Sequence, residues 1–333
     1  MFSLRIEYRE RTLWRREGMY MKRKKWVIFM IGAVLFYGSA AKIKAMTEQI
    51  TTTQLEQPIS EADQKMLARR VLDDTGETYD LEDAENVTVY FGDVIGQTDE
   101  DALVVVDFGK NNTIVAAYTP DGNAYTYVGN VGRFGNISKL SFIPVPALGK
   151  NMIVVQDSHN QNIGAYEENE LLRGYVYEDD GTFRNVLTTS ERIRALWNEI
   201  WNQTDIQDES NWKKVEENTE LNWLLGASPV LSVERNQTYS EGPDGMAIND
   251  NQPEDGEFTE KSERQIISIY RWSDKWGRFI LAEATDRQTG EQVAVLEQYS
   301  ASPYALADAA EAVTRIQRAD GTIEDVPDSR LLY

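Results

Sequence analysis

A chain of 333 residues, 41% hydrophobic and 27% charged, is long and apolar enough to bury a core without covalent staples. It has no cysteine, which excludes disulfides, thiolate metal sites and cysteine nucleophiles, and its single histidine, His159, excludes cages built on two imidazoles. Residues 1–45 hold 11 Lys/Arg against 3 Asp/Glu, so the net charge of −21 conceals a body of −29, which repels nucleic-acid phosphates.

In chain order, the first signal is the cluster Lys22, Arg23, Lys24 and Lys25, directly followed by 16 uncharged residues from Trp26 to Ala41. That run is longer than a usual signal-peptide core and shorter than a free-standing span of about 20 residues. Core helices rarely carry four cations at one end and no polar face. The pattern therefore predicts export, with the basic flank on the cytoplasmic side and the acidic body outside. Two fates stay open: cleavage after Ala45 or Ala40, which gives a secreted protein, or retention of residues 26–41 as a membrane anchor. Residues 1–20 fit neither a signal nor a domain and read as an over-extended translation start, leaving residues 21–45 as signal peptide or signal-anchor.

Residues 46–59 read as a polar linker. A helix follows: Ser60-x-x-Asp63 resembles a capping box, Ile59 is placed as a hydrophobic staple, and Asp73-Asp-Thr-Gly76 ends the helix. From Asn86 to Thr188, short apolar or alternating runs recur between turn residues: 87–91, 102–108, 113–118, 124–128, 137–145, 152–156, 171–177 and 183–187. Asp121-Gly122 and Asp180-Gly181 mark hairpin turns. Thr188-x-x-Glu191, followed by Ile193, Leu196, Trp197, Ile200 and Trp201 at helical spacing, predicts a second helix, with 212–225 as its partner. Further strands are expected at 230–239, 265–272, 278–284 and 292–298. They are interrupted over 241–263 by a loop rich in Gly, Pro, Asn and acidic residues that buries too little apolar surface to offset its ordering entropy. A last helix is expected from Ser302-Pro303, with Leu306, Ala309, Ala310, Val313 and Ile316 along one face.

These elements predict a mainly β protein with peripheral helices, either propeller-like and degenerate or made of duplicated β units. The expected parts are a β-rich domain at 60–190 with its N-terminal helix, a helical connection at 191–226 and a second β-rich part at 227–333. An internal echo, Tyr175–Phe183 against Tyr270–Phe279, favours duplication.

One local pattern, Gly92-Asp-Val-Ile-Gly-Gln-Thr-Asp-Glu-Asp101 followed by the strand Ala102–Val106, resembles the calcium loop of FG-GAP/VCBS-type β-propeller blades. The resemblance implies a calcium ion held by oxygens of Asp93, Gln97 and Asp101. Ile95 stands where that family has a ligand, Gln97 replaces an Asp and Thr98 replaces the turn glycine, which weakens a site needing six to eight oxygens. A turn without metal is the competing reading, and no other cofactor is indicated. Tyr270, Trp272 and Trp276 are the aromatic cluster best suited to a sugar-binding face, since alternation puts Tyr270 and Trp272 on one side of a strand. The competing reading makes them sheet core. His159 sits in a polar stretch and reads as a loop residue.

No catalytic constellation is recognisable. The leading expectation is an exported, non-catalytic envelope protein that binds an extracellular protein or glycan partner, with membrane contact only through an uncleaved N-terminal segment. The alternatives are an extracellular hydrolase using paired carboxylates on polysaccharide, and the extracytoplasmic sensor domain of a membrane assembly.

Overall fold

The computed structural model describes residues 50–55, 59–97, 100–109, 111–163, 165–198, 209–210, 212–244, 246–247, 252–307 and 312–333. The chain divides into two units, residues 1–47 and 48–333. The first unit, including the start at 1–20 and the apolar run at 26–41, lies outside the described residues. Among the described residues no helix is long and apolar enough to cross a membrane.

The second unit opens with a five-stranded antiparallel sheet and one helix. Its strands are β1 (Ile50–Thr51), β2 (Asn86–Gly92), β3 (Asp101–Asp107), β4 (Thr113–Asp121) and β5 (Ala124–Phe134), in the order β1-β5-β4-β3-β2. Ile50 and Leu55 are buried, so part of the expected linker belongs to the core. Helix α1 (Glu61–Thr75) is bounded by its own chemistry. Ser60 Oγ accepts from Asp63 N–H at 3.2 Å and donates to the Asp63 carboxylate, while Gly76 takes the left-handed conformation and its N–H returns to Leu72 O. Leu67, Ala68 and Val71 pack on the alternating set Val87, Val89, Ala102, Val104, Val106, Ile114, Ala116 and Tyr118. Burying each of the larger side chains contributes about 1.5–3 kcal/mol.

The opposite face of that sheet, carrying Leu103, Val105, Val115 and Ala117, packs on Leu140, Ile153 and Val155 of a second and larger sheet. This sheet has eight long antiparallel strands: β6 (Asn136–Val145), β7 (Lys150–Ile163), β8 (Ala165–Tyr177), β9 (Phe183–Asn198), β11 (Trp212–Leu224), β12 (Val230–Glu241), β14 (Thr259–Ser273) and β15 (Arg278–Ile280), ordered as a meander from β6 to β15. A two-stranded ribbon, β10 (Glu209–Ser210) with β13 (Met246–Ala247), branches from it. The second face of the eight-stranded sheet gathers Met152 and Val154 from one end with Tyr270, Trp272 and Phe279 from the other into one cluster, so the sheet curls on itself.

At Leu281, whose N–H donates to Val295 O, the chain leaves this sheet and enters a third, five-stranded one. Its strands are β16 (Ala282–Asp286), β17 (Gln292–Gln298), β18 (Val313–Gln317), β19 (Ile323–Pro327) and β20 (Leu331–Leu332), ordered β19-β18-β17-β16-β20. Between β17 and β18 lies a one-turn helix, α2 (Tyr304–Ala307). Asp286, fully buried, anchors the sheet by accepting from Arg330 at 2.6 Å and Arg318 at 2.8 Å.

The architecture is mainly β with few helices, as the composition of strands and turns indicates, but sheets of five, eight and five strands differ from the four-stranded blades of a propeller. The expected helix over 188–201 is, as far as Asn198, part of the 16-residue strand β9, and 212–224 is strand β11 rather than a partner helix. The physical reason lies in the pairing. Arg192 and Arg194 stand directly opposite Glu170 and Glu168 of β8, and Arg194 also reaches Glu216 of β11 at 3.6 Å. Such cross-strand charge pairs and two flanking ladders outweigh a helical periodicity. The boundaries expected at 190 and 226 therefore both fall inside one sheet. The expected acidic loop at 241–263 is shorter than its composition suggests. Ser240 and Glu241 pair with Glu260 and Thr259, and Lys261 lies 3.3 Å from Glu241. Of the expected C-terminal helix, the described residues hold the one turn of α2; Ala309 and Ala310 lie outside the described residues, and Thr314 and Ile316 alternate inward on a strand held between β17 and β19.

Candidate functional site

Strand alternation builds the site. On β12, Leu231 and Val233 point into the curl, so Arg235 and Gln237 do too; on β11 the same face carries Leu221, Trp223 and Glu217, and on β14 it carries Arg264, Ser268, Tyr270 and Trp272. The concave face is therefore apolar at one end and polar beyond it. Register places Glu217, Gln237 and Arg264 side by side in one row across three strands. Glu217, 1% exposed, accepts from Ser190 Oγ and Gln237 Nε2 and lies 3.8 Å from Arg235 Nε. Arg235 also donates to Thr189 Oγ1 at 2.7 Å and Ser268 Oγ at 2.9 Å. The segment entering α2 straps this row down: Gln237 Nε2 donates to Ala301 O at 2.7 Å, and Arg264 Nη2 donates to Ser302 O at 2.6 Å. A buried carboxylate is tolerated here because each of its oxygens has a donor.

Beside this row, between the eight-stranded sheet and the C-terminal sheet, lies a cavity of about 540 Å³. Its walls include Leu171, Val186, Leu187, Ile193, Leu296 and Ile323, and its polar groups include Tyr270, Arg278, Glu297, Arg315 and Asp325. A size of this order and a few polar groups on apolar walls are the usual properties of a small-molecule site. A more open depression of about 650 Å³ at the β8–β9 hairpin is lined by that hairpin alone, and its Arg184 and Glu178 pair with each other at 2.7 Å.

The charged groups of the cavity lining differ in how they are partnered. Arg278, the first residue of β15, is 8% exposed. Of its five N–H donors, one on Nη1 serves Gln317 Oε1 at 2.9 Å, while Nε is sealed from solvent without a partner. Among the described residues no carboxylate lies within ion-pairing distance of it; burial, with some repulsion from Arg184, pushes the guanidinium down to about 10. Also in the lining, two carboxylates flank the guanidinium of Arg315. Arg315 Nε lies 3.0 Å from Asp325 Oδ1 and its Nη1 lies 3.4 Å from Glu297 Oε2. The Glu297 side chain is 48% exposed; partial desolvation by its neighbours raises the carboxyl above the usual range, although Arg315 and Arg235 oppose the shift. Tyr299, whose hydroxyl donates to Asp325 Oδ2 at 3.3 Å, is pushed up to about 12, chiefly by burial.

Of the aromatic residues singled out from the sequence, Tyr270 lines the cavity, and its hydroxyl is raised by burial while Arg235 opposes the shift. Trp272 is buried in the apolar end of the curl, where its Nε1 donates to Asp274 at 2.7 Å. Trp276 belongs to a different cluster with Ile280, Ala294 and Leu296, and its Nε1 donates to Glu283 at 2.7 Å. The three do not share one open face.

In the loop resembling a calcium site, Asp101 is fully buried and its Oδ2 accepts from the N–H groups of Val94 and Ile95 at 2.9 and 3.0 Å. Asp93 Oδ1 accepts from Gly96 N–H at 2.8 Å, and Gln97 is exposed. Both carboxylates thus brace the turn. Among the described residues no three acidic or histidine groups converge on a point that could hold a metal. His159 is not in a loop: it lies within β7, with Nε2 2.7 Å from the buried Asp157 and 2.7 Å from Arg173 Nη2.

Arg278, Glu297 and Arg315 carry the site, and none was singled out from the sequence. The one sequence feature near them was the echo of the β8–β9 and β14–β15 hairpins, since both hairpins contribute to the cavity wall. Compared with protein-family models and with curated proteins, the chain matches none.

Proposed function

We propose that this chain is an extracytoplasmic, non-catalytic binding protein that takes a small polar ligand into the cavity between its eight-stranded and C-terminal sheets. The observation that carries this reading is Arg278, a buried guanidinium that lines the cavity and keeps donors unused within the protein. Such a group costs stability unless an anionic partner completes it. The basic cluster and apolar run at 22–41 support a location outside the cytoplasm. The test is a thermal-shift titration with acetate and with inorganic phosphate. Either anion is expected to raise the unfolding midpoint of the wild type and to leave that of Arg278→Gln unchanged. Equal shifts in both proteins would sink the reading.

A second reading, hydrolysis of polysaccharide by paired carboxylates, is favoured by one observation: Glu297, raised by partial desolvation, shares Arg315 with Asp325 inside the cavity. Two carboxyls in one cavity are what a glycosidase needs. Release of reducing sugar from cell-wall polymers, lost in Glu297→Gln, would establish it. No release from the wild type removes it.

A further inference from the structure

The eight-stranded sheet leaves part of one edge open. Strand β15 pairs with β14 only from Arg271 to Ser273, so among the described residues 259–270 have a strand partner on the β12 side alone. The Trp272 N–H donates to Pro229 O, which fixes the direction of the main-chain groups along the strand. By that register Arg264, Ile266 and Ser268 turn their N–H and C=O groups toward β12, and Glu263, Gln265, Ile267 and Ile269 turn theirs toward the open side. The side chains of this second set stand on the convex face, where Ile267 is 62% and Ile269 39% exposed. Natural edge strands are usually blunted by charge, proline or a bulge. Here the charges at 260–264 and the register shift at Tyr239/Ser240 lie before the run Gln265-Ile-Ile-Ser-Ile269, which itself holds no charge and no proline.

We infer that this edge takes an extended protein segment as an added antiparallel strand, with apolar residues opposite Ile267 and Ile269 and basic ones beside Glu263. The main chain decides that the occupant is extended, since donors and acceptors alternating along one line are matched by another strand. The neighbouring side chains decide its character. In register behind Ile267 stand Glu234 of β12 and Glu220 of β11, and Glu263 lies further along the edge. Among the described residues no Lys or Arg lies within ion-pairing distance of these carboxylates. Behind Ile269 stand the uncharged Ser232 and Asn222, so that end of the edge is the apolar one. A second copy of this chain is a poor occupant, because it brings the same carboxylates and the same acidic body to the contact. Tyr270 and the cavity belong to the other face of β14, which makes this surface a separate site, independent of Arg278.

The test titrates the purified protein with acetyl-Ile-Thr-Ile-Thr-Lys-Thr-Lys-amide, which runs antiparallel from Ile269 to Glu263, and follows binding by calorimetry and by amide hydrogen exchange read residue by residue. Saturable binding is expected, with exchange at Glu263, Gln265, Ile267 and Ile269 slowed at least tenfold, while the amides of Arg264, Ile266 and Ser268 are slow with or without peptide. Two altered peptides separate the causes: one carries Glu in place of both Lys, the other is N-methylated at its second Ile and first Lys, whose N–H groups face β14. Each is expected to bind at least tenfold more weakly, as is the original peptide to Ile267→Lys. An N-methylated peptide that binds as tightly overturns strand addition, and an acidic peptide that does so overturns the basic partner. No binding of the basic peptide, or binding that leaves those amides unprotected, overturns the inference as a whole. A wild type that sediments as a dimer while Ile267→Lys is a monomer would make a second copy the occupant and overturn it equally. Should Ile267→Lys not fold, the three peptides on the wild type decide alone.

Discussion

Arg278 makes an unusual demand on stability, and Arg278→Met measures it. One pH unit of displacement corresponds to 1.36 kcal/mol. Burial carries the guanidinium from its ordinary value to about 10, so keeping it charged in the folded protein costs on the order of 3 kcal/mol. Methionine is of similar length, is apolar and adapts to irregular space. Its cost is the hydrogen bond from Nη1 to Gln317, worth about 1 kcal/mol, and Gln317 is only half-buried, so water can replace the lost donor. The variant is therefore expected to be more stable than the wild type by about 2 kcal/mol while losing anion binding, the usual exchange between stability and function at a site. Urea unfolding at pH 7, with both proteins showing the same denaturant dependence, gives the difference directly. A variant less stable by about 1 kcal/mol or more would show that Arg278 is a structural residue.

Three further outcomes follow from the structure. Asp286, held well below the usual carboxylate range by Arg330 and Arg318, stabilises the fold fully above about pH 4 and loses that contribution as the pH falls through its folded value. Asp286→Asn is accordingly expected to cost about 3 kcal/mol at pH 7 and progressively less in acid, as measured by urea unfolding across that range. Glu297 has the opposite sign: its carboxyl is raised by partial desolvation, so the wild type loses stability as the pH rises from the unfolded value of about 4.3 to its higher folded value. Glu297→Gln is expected to lack that loss, and identical pH profiles would contradict it. Gly135→Ala would bring a Cβ to 1.8 Å from the Ser158 carbonyl oxygen, whereas Gly76→Ala meets nothing within 4 Å and bears only the left-handed φ of 72°. Thermal unfolding should show the first substitution to cost clearly more than the second, for which about 1 kcal/mol is expected.

The sequence made the short elements legible and the long ones not. Ser60, Asp63 and Gly76 announced α1 through their own hydrogen bonds, and Asp121-Gly122 and Asp180-Gly181 announced hairpins that the structure contains. These are local signals that need no partner to be read. The long strands of the curled sheet carry charged residues on both faces, because the concave face buries Glu217, Arg235 and Gln237, with Arg264 half-buried beside them, as a hydrogen-bonded row. A reading that places polar residues outside cannot find such a row. In β9, Ile193, Leu196 and Trp197 fit a helical stripe, and only the facing charges on β8 and β11 decide for a strand. Arg278 shows the same limit at the site. In sequence it opens a strand like any surface arginine. Its isolation is a fact about which neighbours are absent in space. Tyr270 was reachable because alternation on an aromatic strand is local.

The most direct measurement is anomalous diffraction from crystals soaked in bromide, which reports anion positions without assuming a ligand. A guanidinium that lines the cavity without a carboxylate partner predicts a bromide peak against the Arg278 side chain in the wild type and none there in Arg278→Met. Ordered bromide elsewhere on the protein with an empty Arg278 would contradict the claim that this residue is held for an anionic group.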